Sequence, residues 1–348
     1  MSLPPGPARA LPSSRRHERE GERMTAEVRE RELTELERFR PELTGYCYRM
    51  LGSPFDADDA VQETLVKAWQ GLDRFEGRAS LRSWLYRIAT NVCLDALRAG
   101  GRRAMPMDLS SPVPSSTVPG APLPEPTWVG PMTDAQLGIG ADPAEAAVQQ
   151  DSVRLAFVAA LQHLPPKQRA VLVLREVLAW SAADVAELLD TSVASVNSAL
   201  QRARATLAGI DTSGGLTEAQ LGDDDRALLA RYVRAFEAYD IEALVQLLHD
   251  DAGFSMPPLP LWLRGTDDIA GWYLGHGIGC KGSRMVPITV NGQPGYAQYK
   301  PDPDGGYSAW SVQVIEIEDG RIRHLHHFLE EFGGKVFGRL GLPLRLEG

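Results

Sequence analysis

Residues Phe39–Arg98 read FRPELTGYCYRMLGSPFDADDAVQETLVKAWQGLDRFEGRASLRSWLYRIATNVCLDALR. They fall into two chemically opposite halves. Asp56–Trp69 (DADDAVQETLVKAW) carries Asp56, Asp58, Asp59 and Glu63 against Lys67. Arg74–Arg103 carries Arg74, Arg78, Arg82, Arg87, Arg98, Arg102 and Arg103 against Glu76 and Asp95, with Trp69, Phe75, Trp84 and Tyr86 threaded through the stretch. Apolar spacing makes both halves helical: Ala60, Val61, Leu65 and Ala68 mark one inner face, Leu81, Leu85, Ile88, Val92 and Leu94 the other. Gly52-Ser53-Pro54 breaks the chain before the acidic helix, and Asp56 and Ser80 are the expected caps. An acidic face suits a basic protein surface. Arginines and exposed rings suit nucleic acid, through phosphates and unstacked bases. Trp84 has a second reading, as a core tryptophan.

Upstream, Thr25–Arg40 repeats Leu33, Leu36 and Phe39 at helical spacing, and Leu43–Leu51 extends that face through Tyr46, Tyr48 and Met50. Residues 1–24 hold Pro4, Pro5 and the run RRHEREGER without an apolar signal core. They are expected to form a disordered tail, with Met24 as an alternative start. Downstream, nine prolines between Pro106 and Pro143 make residues 101–142 a linker, largely extended rather than packed. Such a coil spans roughly 40 Å. That suffices to join two DNA contacts one or two helical turns apart, about 35–70 Å. Its Leu123–Trp128 segment (LPEPTW) is a candidate docking patch.

Within residues 143–208, Ser181–Ala205 reads SAADVAELLDTSVASVNSALQRARA. Ser181 caps a short helix with Val185, Leu188 and Leu189 inside. Asp190-Thr191 makes a turn, and Ser192 caps a second helix with Val193, Val196 and Leu200 inside. Two helices joined by a few residues fit a helix-turn-helix. Ser195, Asn197, Ser198, Gln201, Arg202 and Arg204 point outward with no acid among them, which suits base edges and phosphates in a major groove.

Length and composition bound the rest. The chain has 348 residues, 43% hydrophobic and 24% charged, with net charge −10. Two or three globular domains are expected. An acidic balance excludes a general basic nucleic-acid coat, so any DNA contact is local. Cys47, Cys93 and Cys280 are odd in number and far apart, which argues against a disulfide framework or a cysteine zinc site. No apolar run reaches transmembrane length, so no membrane association and a cytoplasmic location are expected.

Residues 209–222 form a second linker. Arg226–Tyr239 and Ile241–Asp250 read as amphipathic helices and Asp267–Leu274 as a short one. Met285–Val290, Gly295–Tyr299, Tyr307–Ile317 and Arg321–Leu329 read as strands. This gives an α+β domain over residues 223–333, followed by a tail, 334–348. Tyr232, Trp262, Trp272, Tyr299, Trp310, His324, His326 and Phe328 are candidate pocket residues. His324 and His326 share one strand face and His327 the other. The pair reads first as filling of the domain interior, with base, metal pair or ligand donors as the functional alternatives. With no carboxylate at a fixed spacing, no metal site, cofactor or catalytic motif is assigned.

These motifs carry a resemblance. Asp56–Trp69 resembles the second conserved region of bacterial sigma factors, and Trp84–Asp95 (WLYRIATNVCLD) resembles their promoter-melting region in the extracytoplasmic-function group. Ser181–Ala205 resembles the fourth region. ALVQLLHDDAGFSMPP followed by LRGTDDIAGW (Ala243–Trp272) resembles SnoaL-like domains of the ketosteroid-isomerase-like cone fold. The combined layout is similar to the SigG-like subgroup.

The resemblance implies two all-α sigma modules, residues 25–100 and 143–208, the second a helix-turn-helix, joined by the proline-rich linker and followed by a cone domain. It also implies that Asp56, Asp58, Asp59, Gln62, Glu63, Lys67 and Trp69 grip the β′ clamp helices of core RNA polymerase. Arg74, Arg78, Ser80, Arg82, Trp84, Arg87, Asn91 and Arg98 would capture and hold the minus-ten strand. Ser181, Ser192, Ser195, Asn197, Ser198, Gln201, Arg202 and Arg204 would read the minus-thirty-five element of promoter DNA, on a module that also meets the β flap. Two departures stand out: Asp190 sits where glycine is usual, and Asn197 and Ala199 replace basic residues. The last domain is expected to regulate, with a small-molecule ligand as one means. Alternative readings are a ligand-responsive helix-turn-helix regulator and a fused isomerase- or cyclase-like enzyme.

Overall fold

The computed structural model describes residues 33–77, 79–139, 150–210, 212, 214–330 and 335–348. The proposed tail 1–24 and Arg78 lie outside the described residues.

The first module is built from α1 (Arg40–Leu51), α2 (Pro54–Gly71) and α3 (Leu81–Ala99). Gly52 closes α1 in the left-handed conformation, φ 71°, with its N–H on the Tyr48 carbonyl. The cap of α2 is Ser53, whose hydroxyl accepts the Asp56 N–H, with Pro54 at the first helical position. The expected cap, Asp56, therefore lies inside the first turn, where its carboxylate is available to Arg103. Ser80 caps α3 as expected, accepting the Ser83 N–H.

The second module comprises α5 (Leu155–Leu161), α6 (Pro166–Leu172) running on into a π turn over Val173–Val177, α7 (Ala182–Leu188) and α8 (Val193–Leu207). Ser181 and Ser192 cap α7 and α8. Asp190 takes φ +49°, the left-handed turn conformation that Asp tolerates where glycine is usual.

The segment between the modules is not a free spacer. After α4 (Pro106–Leu109) its described residues are extended stretches broken by a 3-10 turn over Glu125–Thr127, and they dock at several points. Val129, Met132 and Leu137 are buried, Ala104 pairs with Trp128, Val113 N–H donates to the Trp262 carbonyl and Leu123 N–H to Pro258. The proline count conceals apolar residues that find partners once the other modules are present. Trp128 of the LPEPTW patch is buried.

The last domain has α9 (Asp223–Ala238), α10 (Ile241–Val245) and α11 (Thr266–Leu274) on one face of a curved sheet. Its strands are β1 (Leu248–Ser255), β2 (Trp262–Arg264), β3 (Arg284–Val290), β4 (Gln293–Pro301), β5 (Tyr307–Glu318), β6 (Arg321–Leu329) and β7 (Arg345–Leu346). The order is β2-β1-β6-β5-β4-β3, antiparallel except for β1–β6, with β7 on β5. The helix expected over Ile241–Asp250 ends at Val245, because Leu248, Ala252 and Phe254 are needed in a strand beside β6. Residues 335–348 are no tail: α12 (Val336–Arg339) buries Phe337 against Tyr299.

Strand alternation divides the sheet's side chains. Met285, Tyr296, Ile315, Ile317, Leu325 and Leu329 face the cone interior with Tyr232, Phe236, Trp272 and Tyr273. Val290, Ala297, Tyr299, Val312, Val314 and Phe328 face outward, yet they are buried, in one continuous core with α1–α3 and α5–α8. The cone's outer face is thus the floor on which both helical modules sit.

Candidate protein and nucleic-acid interfaces

The acidic face of α2 forms as its spacing predicts. Asp58, Asp59, Gln62, Glu63, Lys67 and Trp69 are exposed, and Glu63 and Lys67 pair at 2.6 Å one turn apart. Asp56 departs from the set: it binds buried Arg103 at 2.7 Å, and Arg103 also meets Glu125 at 3.1 Å. Asp58 carries a partner that sequence reasoning missed. Arg339, at the end of α12, lies 3.3 Å from the Asp58 carboxylate and 3.4 Å over the Phe55 ring. No sequence signal links positions 281 residues apart.

The arginine-rich helix is partly committed to internal work. Arg82 pairs with Glu42 at 2.8 Å and lies over the rings of Tyr86 and Trp180, so its half-exposed side chain also ties the two modules together. Arg98 pairs with Asp95 on its own helix. Arg74, Ser80, Arg87, Asn91 and Arg98 are exposed. Trp84 is half-buried, its ring 5.0 Å from Phe75 and against Gly71, where an added Cβ would come within 3.3 Å. Both readings of Trp84 thus have a physical basis: one face packs, the other borders a small cavity of about 230 Å³ shared with Asp184 and Leu188 of α7.

On α8, Ser195, Asn197, Gln201, Arg202 and Arg204 are exposed on one side. Ser198 is half-buried and accepts Arg202 at 2.6 Å, and Arg204 is held by Glu176 at 2.6 Å. Ser181 and Ser192 act through backbone, each hydroxyl accepting an N–H at 3.1 Å.

The two helical modules are docked on each other. α3 packs against α6 and α7. Tyr86 and Trp180 rings lie 5.1 Å apart, and Arg87 donates to the Glu187 carbonyl at 3.1 Å. Two buried guanidinium groups bridge the modules through neutral acceptors: Arg49 donates to Ser152, and Arg169 to the Met50 carbonyl. Burial lowers each to about 10, so both stay charged at neutral pH.

The β3–β4 turn locks this arrangement. Val290-Asn291-Gly292-Gln293 is a two-residue hairpin with φ +56° and +68°, the combination Asn-Gly favours. Asn291 is fully buried. Its Nδ2 donates to the Tyr48 hydroxyl of α1 and to the Val153 carbonyl before α5, each at 2.7 Å. Its Oδ1 accepts the Met132 N–H at 2.9 Å. Gly292 N–H reaches Asp134 at 2.7 Å, and Gln293 Oε1 accepts the Leu155 N–H at 2.9 Å. One turn of the cone thus binds both helical modules and the segment between them.

The candidate pocket residues do not form one pocket. Tyr232 and Trp272 fill the cone interior, Tyr299 lies on the outer face with Phe337, and Lys300 sits 3.0 Å over the Trp310 ring. Trp262, His324 and His326 border a different cavity, of about 350 Å³, between the outer face, α5 and α4. The pleat separates them: residues two apart on β6 point together, and those on the opposite face point into the cone. His327 is inside, where burial holds it neutral, down to about 3. Burial, and then the neighbouring imidazole of His326, likewise push His324 well below the ordinary histidine value.

Comparison with known proteins matches three family models in chain order: Sigma-70 region 2 over residues 36–103, Sigma-70, region 4 over 154–207 and a SnoaL-like domain over 229–325. The chain is 41% identical to the ECF RNA polymerase sigma factor SigG of Mycobacterium tuberculosis over 312 residues, covering 88% of this chain and 82% of the relative. It is 31% identical to SigJ of the same species, over 84% of this chain and 89% of that one. The crystal structure of the M. tuberculosis extracytoplasmic function sigma factor SigJ superposes with a TM-score of 0.57 at 25% identity, covering 89% of this chain and 99% of that one.

Proposed function

Because the chain belongs to the extracytoplasmic-function sigma factors of RNA polymerase, proteins that bind core polymerase and promoter DNA to initiate transcription, we propose that it is held closed by its own SnoaL-like domain and must open to work. The supporting geometry is a spacing. α3 touches α7, and α7 touches α8. Two packed helix spacings of about 8–10 Å each put the minus-ten and minus-thirty-five faces roughly 20 Å apart. Promoter contacts one to two helical turns apart need about 35–70 Å. The modules therefore separate before both elements are read. The observation that carries the reading is buried Asn291, which holds both modules and the intervening segment at once.

In the open state, Asp58, Asp59, Gln62, Glu63, Lys67 and Trp69 bind the β′ clamp helices and the second module meets the β flap. Arg74, Ser80, Trp84, Arg87 and Asn91 take the melted minus-ten strand, joined by Arg78. Each captured base costs about a few kcal/mol to unstack, and stacking on an aromatic ring returns roughly 1–3 kcal/mol. Arg82 serves the closed state, and its release on opening would free it for phosphate. Asn197, Gln201 and Arg202 read the minus-thirty-five element, with Ser181 and Ser192 positioning the helices. The protein works in the cytoplasm, where polymerase and promoters are.

A small-molecule regulator fits an apolar cavity of about 300 Å³ between α2, the intervening segment and the cone, lined by Pro54, Phe55, Leu123, Trp128, Pro258 and Phe328. A ligand there shifts the balance only by preferring one state. Run-off transcription with core polymerase on a promoter library tests the whole reading, comparing the full chain with Asn291→Gly. Specific transcripts that rise with the variant are expected. No transcript from either, with polymerase shown competent using another sigma factor, would overturn it.

A further inference from the structure

The cavity of about 350 Å³ between the outer sheet face and the helical modules holds a cluster that neither promoter reading nor polymerase binding uses. One nitrogen from each of His324 and His326 and one carboxylate oxygen of Glu316 lie within 4.8 Å of one another. His324 and His326 are two apart on β6, and Glu316 is the direct cross-strand partner of His324 on β5, at a register shift that locally re-aims the strand. The sequence hid the carboxylate because it arrives from the neighbouring strand.

Each member is oriented. Buried Ser255 meets His326 Nδ1 at 2.9 Å, which leaves Nε2 facing Glu316 Oε1 at 3.2 Å. Such an outer hydrogen bond is what fixes the ring of a metal-binding histidine. The two imidazoles stack, centroids 3.9 Å apart and planes 14° off parallel. Gly253, opposite His324 on β1, makes room for its ring: a Cβ there would fall 2.3 Å from His324 Cε1 and Nδ1.

A buried hydrogen-bonded pair accounts for His326 and Glu316. It leaves His324 unexplained, since His324 Nε2 is buried with no hydrogen-bond partner among the described residues. A buried nitrogen without a partner is destabilising, and a protein that kept it only for packing would gain by replacing it.

We infer that Glu316, His324 and His326 form a binding site for a divalent first-row transition ion, with remaining positions filled by water from the cavity. Two imidazoles and one carboxylate suit zinc and its neighbours better than magnesium or calcium, which prefer all-oxygen sets. Metal–ligand distances of about 2.0–2.2 Å require the three donors to draw slightly together, a rotamer adjustment and not a change of fold. All three donors come from β5 and β6 of the cone, while residues of the second module and the intervening segment close the cavity over them.

The test uses the full chain with zinc and with cobalt as probes. Competition titration is expected to give one equivalent of zinc. X-ray absorption at the metal edge is expected to give a shell of nitrogen and oxygen with imidazole scattering and no sulfur. His324→Ala and Glu316→Gln should each weaken binding by about 10–100-fold or more, while exposed His276→Ala leaves it unchanged. A sulfur-containing shell, no stoichiometric binding, or His324→Ala and Glu316→Gln binding as the parent does would each overturn the site. Should a variant fail to fold, the absorption spectrum of the parent chain decides alone.

Discussion

Replacing Asn291 by Gly isolates the contact that holds the closed arrangement. Glycine accepts φ +56° more easily than asparagine, so the backbone of the turn is not strained. What disappears is three side-chain hydrogen bonds, to Tyr48, Val153 and Met132. Tyr48 keeps its bond to the Gly130 carbonyl at 2.8 Å. The Val153 carbonyl and the Met132 N–H lose their Asn291 partner inside the junction. At about 1–3 kcal/mol for each of these two groups, the closed state loses roughly 2–6 kcal/mol. That multiplies the open fraction by about 30 to about 20,000. Native-state hydrogen exchange reads this directly. The Leu155 amide, which donates to Gln293 across the junction, should exchange faster by that factor. Amides of Val314 and Ile315, within the sheet of the cone, should not change, because opening separates domains and leaves the sheet paired. A Leu155 rate within threefold of the parent, or an equal acceleration in the sheet, would refute the reasoning: the first denies the latch and the second makes the effect global.

Arg339→Ala releases Asp58 and Phe55 from a half-exposed pair worth at most about 1 kcal/mol. Affinity for core polymerase, followed by fluorescence titration, should rise up to about fivefold, and a fall would mean that Arg339 does not compete for that face. Trp84→Ala should reduce promoter opening by roughly 1–3 kcal/mol of lost stacking, read by permanganate reactivity of the melted strand, with core binding retained. Opening equal to the parent would make Trp84 a packing residue only. Asn197→Ala and Gln201→Ala should each relax base preference in the minus-thirty-five element by about 1–3 kcal/mol, without moving the melting temperature, since both side chains are exposed. An unchanged preference in a randomised-promoter selection would remove them from the reading face.

The helices, their caps at Ser80, Ser181 and Ser192, the left-handed Asp190 and the long strands of the cone were legible because each is a local matter. Helical and strand periods, a hydroxyl three residues before an N–H, and a short polar side chain at φ > 0 need only near neighbours. The resemblance carried by Asp56–Trp69, Trp84–Asp95 and Ser181–Ala205 was legible for the same reason. By itself, then, the sequence determined the helical modules, their caps and the family they resemble.

The relation between modules was decided only by tertiary structure. A proline-rich segment reads as a spacer, because the partners of Val129, Met132 and Leu137 are far away in the chain. Arg82 and Asp56 read as surface charges until Glu42 and Arg103 are brought beside them. Leu248–Asp250, the start of β1, reads as the end of a helix until β6 offers a neighbour, and residues 335–348 read as a tail until Tyr299 offers Phe337 a surface. His324 and His326 read as a pair lacking an acid until β5 supplies Glu316. Each is a contact between distant segments, and its energy comes from burial that no local window contains.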